Sequence, residues 1–532
     1  SNGRVPNTTY DRYNFTFRNT SSFLNDKMRL DVGASYILQE DCNMINQGTY
    51  NNPLTGAYLF PRGDDWADIE MYERYDPIDK ISKQYWPMGD GSITMQNPYW
   101  ANYRNLRENR KDRYMLNAAL SYDILDWLNV SGRIRIDNSH NTYTEKMYAS
   151  SNVQLTEQSA NGLYGVTKTM DRQVYGDALL NINKTFGDDW SLQANIGGSF
   201  QRTQYEDEGY QGGLKAPSNL FTPNAIDYAA ATNDNRPIYG FNKHYINSLF
   251  ANAELGWKSM LFLTLTGRND WDSALAGTKH ESFFYPSVGM SAIISQMVQL
   301  PEFISYMKVR GSWASVGSAI SPNIASRWRY EYNPASQSYS TVTYKFPETF
   351  YPERTNSWEA GLTARFFDNA LTLDVTFYQS NTRKQTFLRP ITVGEGYSKE
   401  YVQTGNVRNR GLELSLGYNK TWGDFTWNSS LTYSMNRNKI IDLLEDPNEV
   451  ISQAGLNGAN VILKKGGTMG DVYTYTDFAR DNEGNIALDA SGNVMRQTLS
   501  NPKYCGSVLP KGNIGFSNDF TWKGLNLGFL VS

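Results

Sequence analysis

The sequence predicts an all-β fold: a transmembrane antiparallel β-barrel. Three observations carry this expectation. Apolar and polar residues alternate strictly in segments of roughly ten residues, the length a tilted strand needs to cross a bilayer. The connections between segments alternate between short and long. Aromatic residues gather beside the short connections.

The alternation is plainest at 411–436, "GLELSLGYNKTWGDFTWNSSLTYSMN". Leu412, Leu414, Leu416 and Tyr418 alternate with Glu413, Ser415, Gly417 and Asn419. After a short break, Phe425, Trp427, Leu431, Tyr433 and Met435 alternate with Thr426, Asn428, Ser430, Thr432 and Ser434. A period of two marks a strand with unlike faces. The same hairpin recurs in Tyr13–Phe23 with Lys27–Ile37, and in Arg113–Ile124 with Leu128–Asn138. It recurs in Gln173–Asn183 with Trp190–Gln201, and in Ile246–Trp257 with Leu261–Arg268. Phe284–Gln296 goes with Tyr306–Val316, Ser357–Phe366 with Leu371–Gln379, and Lys511–Thr521 with Leu525–Val531. The total is about sixteen strands, and no segment sustains an apolar period of 3.6.

The short connections include "NDK" at 25, "LDW" at 125, "FGDD" at 186, "WGD" at 422 and "WKG" at 522. The long ones are 38–112, 139–172, 202–245, 317–356, 380–405 and 437–510, with a shorter one at 269–283. Short turns at one rim and long loops at the other are the barrel pattern. Trp127, Trp190, Trp257, Trp422 and Trp522, with Phe186 and Phe425, sit at or beside short turns. Amphipathic rings favour the headgroup level, so a recurring rim of them reads as a girdle.

The faces follow. Leu30, Val32, Leu192, Ile196, Leu263, Leu265, Leu373, Val375, Leu412 and Leu414 share the apolar face, expected to meet lipid. Arg133, Arg135, Asp177, Glu254, Lys308, Arg310, Arg365, Asp374 and Glu413 share the other, expected to line a lumen.

Composition sets bounds. The chain has 532 residues, is 40% hydrophobic and 14% aromatic, and carries a net charge of -4, too small to point to nucleic acid. Its mean hydropathy is -0.56. No run approaches 18 apolar residues, so no transmembrane helix is expected, which leaves strands as the route across a bilayer.

Several segments together resemble the SusC/RagA-type family of TonB-dependent outer-membrane transporters: "QNPYWANYRN" at 96, "YPSVGMSAIIS" at 285, "YMKVRGSWASVGS" at 306, "YPERTNSWEAGLTARFFDNALTLDVTFYQSNTRKQ" at 351, "TGNVRNRGLELSL" at 404 and "KGNIGFSNDFTWKGLNLGFL" at 511. The resemblance implies an importer in the Gram-negative outer membrane, with a barrel of about 22 strands and a plugged lumen. It implies a SusD-like surface lipoprotein as lid, a TonB complex as energy source, and glycan or peptide substrates. A dimer of transporter–lipoprotein pairs is the assembly it brings with it. Residues 1–532 are then an internal portion of the barrel domain, because nothing in them resembles the plug or a TonB box.

No enzyme is expected, and no cofactor. The three His (His140, His244, His280) lack metal-ligand spacing. "DNEGNIALDASGN" at 481 has Asn485 where a calcium loop coordinates but Ile486 where it needs Gly, and so reads as a pair of polar turns. Cys42 and Cys505 both fall in long loops on one rim, where an oxidising compartment permits a bond. Sugar recognition uses flat aromatic faces beside polar side chains. The candidate ligand-binding residues are therefore Tyr85, Trp86, Trp100, Tyr103, Asp270, Trp271, Asp272, Trp328 and Tyr330, with Tyr99 and Tyr332 beside them. Two other readings stay open: a passive porin, and a soluble all-β glycan-binding protein.

Overall fold

The computed structural model describes residues 3, 5–44, 50–87, 96–230, 236–322, 324–326, 330–333, 338–391, 396–444, 450–456 and 459–532. Sixteen long strands form one antiparallel sheet in which each pairs with the next in sequence. They are β1 (Thr9–Phe23), β2 (Met28–Cys42), β3 (Asn105–Leu125), β4 (Leu128–Tyr148), β5 (Gly162–Phe186), β6 (Trp190–Gly213), β7 (Arg236–Trp257) and β8 (Leu261–Asp272). After these come β9 (Ser282–Ile293), β10 (Ile304–Ser318), β11 (Glu353–Phe366), β12 (Leu371–Pro390), β13 (Lys399–Trp422), β14 (Phe425–Asp442), β15 (Asn513–Trp522) and β16 (Leu525–Val531). A two-residue strand, Tyr344–Lys345, adds a parallel pairing to β13.

Register carries the two faces from strand to strand. Phe377 stands opposite Leu412, and Leu412 opposite Met435; one step on, Val375, Leu414, Tyr433 and Ile514 form the next row. Far around the sheet, Ile134 opposes Ala118, and Leu192 opposes Leu255. Side chains alternate across a strand, so these rows make one continuous apolar face. Ile196, Leu265 and Met290 lie on it with about half or more of their surface uncovered. The opposite face carries crossing ion pairs. Arg18 bonds Asp31 at 2.9 Å, Arg113 bonds Asp137 at 2.6 Å, and Arg310 bonds Asp374 at 2.8 Å. Arg133 reaches Asp177 in the same way.

The aromatic rim follows the short turns. Trp190 and Trp257 lie 6.4 Å apart, Trp422 and Phe425 6.1 Å, and Trp427 and Phe520 6.1 Å. Left-handed residues close the tightest turns: Leu24, Asn25 and Asp26 before β2, and Phe367, Asp368 and Asn369 before β12.

The sheet is open in this chain. Among the described residues β1 pairs only with β2, and β16 only with β15. The row expected to join Phe15–Phe17 to Leu527–Phe529 in a closed sixteen-stranded barrel does not form.

Three sequence expectations are corrected. The segments 38–112, 139–172, 202–245 and 380–405 are not loops throughout, because β2 to β7, β12 and β13 run into them. β5 spans 25 residues, roughly 80 Å at about 3.3 Å per residue, against a hydrocarbon core of about 30 Å. The extra length stands above the lipid, where both faces meet water and no apolar alternation is needed. β8 continues to Asp272, so Asp270, Trp271 and Asp272 lie in a strand rather than a loop. The strand expected to end at Gln296 stops at Ile293, and the helix Ile294–Met297 makes the turn.

The long-loop rim holds the compact packing. One cluster joins Phe387, Val407, Ile440, Leu443, Ile451 and Leu463; a second joins Leu275, Phe283, Ile320 and Phe350; a third joins Leu214, Ala225 and Ile226. A four-stranded sheet (Ile451–Leu456, Ala459–Leu463, Asp471–Phe478, Arg496–Ser507) rises from the top of β14. Its tip is two Asx turns. Asp481 accepts the amides of Glu483 and Asn485, and Asp489 those of Ser491 and Asn493. This is the pair of polar turns the sequence predicts. Cys42 and Cys505 are both free thiols.

Candidate functional site

The chemistry on the long-loop side falls into a folded platform and the upper wall of the lumen. The platform lies between β2 and β3. "QNPYWANYRN" is its keystone. Asn97 caps the helix Pro98–Tyr103 by accepting the Tyr99 amide at 2.8 Å, and its amide group donates to the carbonyls of Ile69 (2.8 Å) and Tyr85 (2.9 Å). Pro98 at the first turn suits that start, since its missing N–H has no helical acceptor. Trp100 is fully buried, and its indole donates to Ser151 at 2.9 Å. Asn105 and Ser151 continue this network at 2.6 Å.

Around it the aromatics pair with one another. Phe60 packs edge-on against Trp66 at 5.1 Å, Trp86 lies 6.3 Å from Phe60, and the Trp66 indole donates to the Tyr99 hydroxyl at 3.0 Å. Tyr103 stacks on Tyr72 at 5.5 Å. The Arg104 guanidinium bonds both Glu73 oxygens, at 2.7 and 2.8 Å, and faces the Tyr72 and Tyr148 rings. The hydrogen bonds to Glu73 raise the Arg104 pKa above its ordinary value, and burial raises that of Tyr72. Arg74 covers the Tyr85 ring at 3.4 Å. Of the candidates here, Trp100 is enclosed by protein, Trp86, Tyr103 and Tyr99 pack within the platform, and Tyr85 has one face occupied. These rings hold the platform together.

Asp270, Trp271 and Asp272 separate by strand alternation. Asp270 faces the lumen, where Arg268 bonds it at 2.8 Å and the Tyr285 hydroxyl donates to it closely. Asp272 faces the same way, bonds His244 Nε2 at 2.6 Å and caps the turn at Ala274 at 2.8 Å. Trp271 points to the apolar side opposite Asn247, 41% exposed, and so joins the outward aromatics rather than the two carboxylates. Tyr330 is exposed on a small hairpin paired with Ser338–Thr341. Trp328 lies outside the described residues, and so does the side chain of Tyr332.

The upper wall was hidden from sequence reading. A cavity of about 370 Å³ is lined there by Lys111, Arg113, Asp137, Ser139, Asp171, Gln173, Thr203, Tyr205 and Asn242. Ser139, Asp171 and Tyr205 form one row across β4, β5 and β6. The only signal is a run of strand-compatible polar residues that continues above the apolar band on both faces. The wall offers donors, acceptors and one ring, suited to non-covalent recognition of polar molecules. Among the described residues no group of three or more His, Cys, Asp or Glu side chains is placed to hold a metal.

Comparison with known proteins agrees with this architecture. TonB-dependent receptor P3 of Formosa agariphila is 24% identical over 503 residues, covering 83% of this chain and 47% of that one. TonB-dependent receptor SusC of Bacteroides thetaiotaomicron is 22% identical over 478 residues, covering 83% and 45%. The chain thus spans about half the length of these curated relatives. Among solved structures, the RagAB peptide transporter superposes with a TM-score of 0.74 at 17% identity, over 98% of this chain and 57% of that one. Residues 43–489 match the family described as "TonB dependent receptor-like, beta-barrel", and the chain belongs to that family.

Proposed function

We propose that this chain is barrel wall from an outer-membrane importer that takes up oligosaccharides or peptides. It works with a SusD-like lipoprotein lid and draws energy from TonB through parts of the polypeptide outside residues 1–532. The observation that carries the reading is the asymmetry of the sheet. One face is apolar over a bilayer's height, the other is an ion-paired polar wall, and the folded platforms stand on one rim only. Function concentrates in loops held on a rigid scaffold, and here the scaffold presents them beside the lumen mouth. The match to a TonB-dependent receptor named SusC, and the fold shared with the RagAB peptide transporter, support an importer. The porin reading is weakened because β1 and β16 do not pair to close a sixteen-stranded pore. The outward apolar face weighs against a soluble protein.

The test is co-purification with the lipoprotein encoded beside the transporter gene. Removing the platform between β2 and β3, or the four-stranded sheet above β14, should weaken capture while heat-modifiable migration in detergent gels persists. Undiminished capture after both deletions would overturn the assignment of the lid contacts to these platforms, and failure of the intact protein to capture the lipoprotein would overturn the lid. Substrate uptake that persists without TonB would restore the porin.

A further inference from the structure

The outward face of β13 and β14 changes character abruptly. Going up β14 from the short turn, the outward residues are Phe425, Trp427, Ser429, Leu431, Tyr433 and Met435; the next two are Arg437 and Lys439. On β13 the sequence mirrors this: Tyr418, Leu416, Leu414 and Leu412 are followed by Arg410 and Arg408. The stretch from Phe425 to Met435 is about ten residue steps. At about 3.4 Å per step and a tilt near 45° it rises roughly 25 Å, the height of a barrel's apolar band. The four cations therefore stand at the headgroup level of the leaflet on the long-loop side.

They are paired like with like. Arg410 is directly opposite Arg437, and Arg408 directly opposite Lys439. Cross-strand like charges repel. The same two rows continue through Gln379 and Trp358, and through Asn381 and Asn356. Arg410 spends two hydrogen bonds on the Gln379 amide oxygen, at 3.1 and 2.9 Å. The next row up holds Asp442, which lies 3.8 Å from Lys465. Arg410, Arg437 and Lys439 are exposed, and Arg408 is half-buried.

We propose that Arg408, Arg410, Arg437 and Lys439 form a binding site for the phosphate of an outer-leaflet lipid. The inference rests on the reading of the apolar face as lipid-facing. Guanidinium pairs bind phosphate oxygens bidentately, so one phosphate set between the two rows would neutralise the repulsion. The floor of the site favours a lipid over a free anion: Leu412 and Met435 lie directly beneath, where acyl chains of a lipid held by its phosphate would run.

The test is native mass spectrometry of the transporter extracted from its own membrane, and of the same protein in nanodiscs of phosphatidylcholine doped with a monophosphorylated lipid A. The wild type should retain the phosphoglycolipid. A basic residue near an anionic surface contributes roughly a fivefold factor, so Arg410→Gln with Arg437→Gln should lower retention about 25-fold. The charge-preserving pair Arg410→Lys and Arg437→Lys should retain most of it, and the lumen-facing pair Lys308→Gln and Arg365→Gln should leave it unchanged. Equal retention by wild type and the Gln variant would overturn the site. So would displacement by millimolar inorganic phosphate, or protection of the four residues by the lipoprotein alone. If wild-type protein showed no heat-modifiable migration, the barrel reading itself would fail, independently of lipid retention.

Discussion

Leu414 and Ser415 are neighbours in sequence and face opposite media. Leu414 stands in a row with Val375 and Tyr433, and Ser415 in a row with Asp374 and Thr432. An Arg near the midplane of a lipid face costs roughly 2–4 kcal/mol, and a lumen substitution costs little. Leu414→Arg should therefore fail to assemble in an outer-membrane insertion assay that Ser415→Arg passes. Trp100 illustrates a different dependence. It has no exposed surface, and its indole has a buried partner in Ser151. Trp100→Ala should cost the platform about 3–5 kcal/mol, read as faster hydrogen exchange across residues 96–104. The heat-modifiable barrel should persist, because the platform packs above it.

At the scale of elements, the strands were legible because lipid imposes period two, and the short turns because rings recur beside them. What lies above the lipid was less so. There β3 to β6 keep extending with Thr, Asn, Tyr and Glu on both faces, and no apolar alternation marks the strand. The candidate residues show the same limit. Trp100 and Asp270 carry the composition of a binding site, but composition does not say that one is buried with its indole on Ser151 and the other held by Arg268 and Tyr285. Sequence groups Trp271 with its neighbours in a loop, and a strand parts them. The acidic turns "DNEGN" and "DASGN" were read correctly because Asx turns are local. Backbone amides hold Asp481 and Asp489 below the ordinary carboxylate range. A lowered folded pKa gives stability that is present above the unfolded value, about 3.9, and is lost as pH falls through the folded value. Exchange protection of the Asn485 and Asn493 amides should thus hold steady from neutral pH to about pH 4 and fall below it.

At the scale of the molecule, one sheet separates three environments. Its apolar band is dry, its ion-paired wall faces a lumen, and its upper strands lift folded platforms and a polar cavity above the bilayer. The edges of β1 and β16 carry backbone groups that no water can satisfy inside lipid, so within a bilayer each edge needs a strand partner. Import, lid and lipid binding all depend on the sheet having one lipid face and one lumen face. Spin labels placed singly at residues 412 to 418 of β13, in protein reconstituted into bilayers, test this directly. Collision with oxygen, which concentrates in lipid, should peak at 412, 414, 416 and 418, and collision with a water-soluble nickel chelate should peak at 413, 415 and 417. Equal chelate access at both sets of positions would mean that water wets both faces and that the sheet is not a membrane wall.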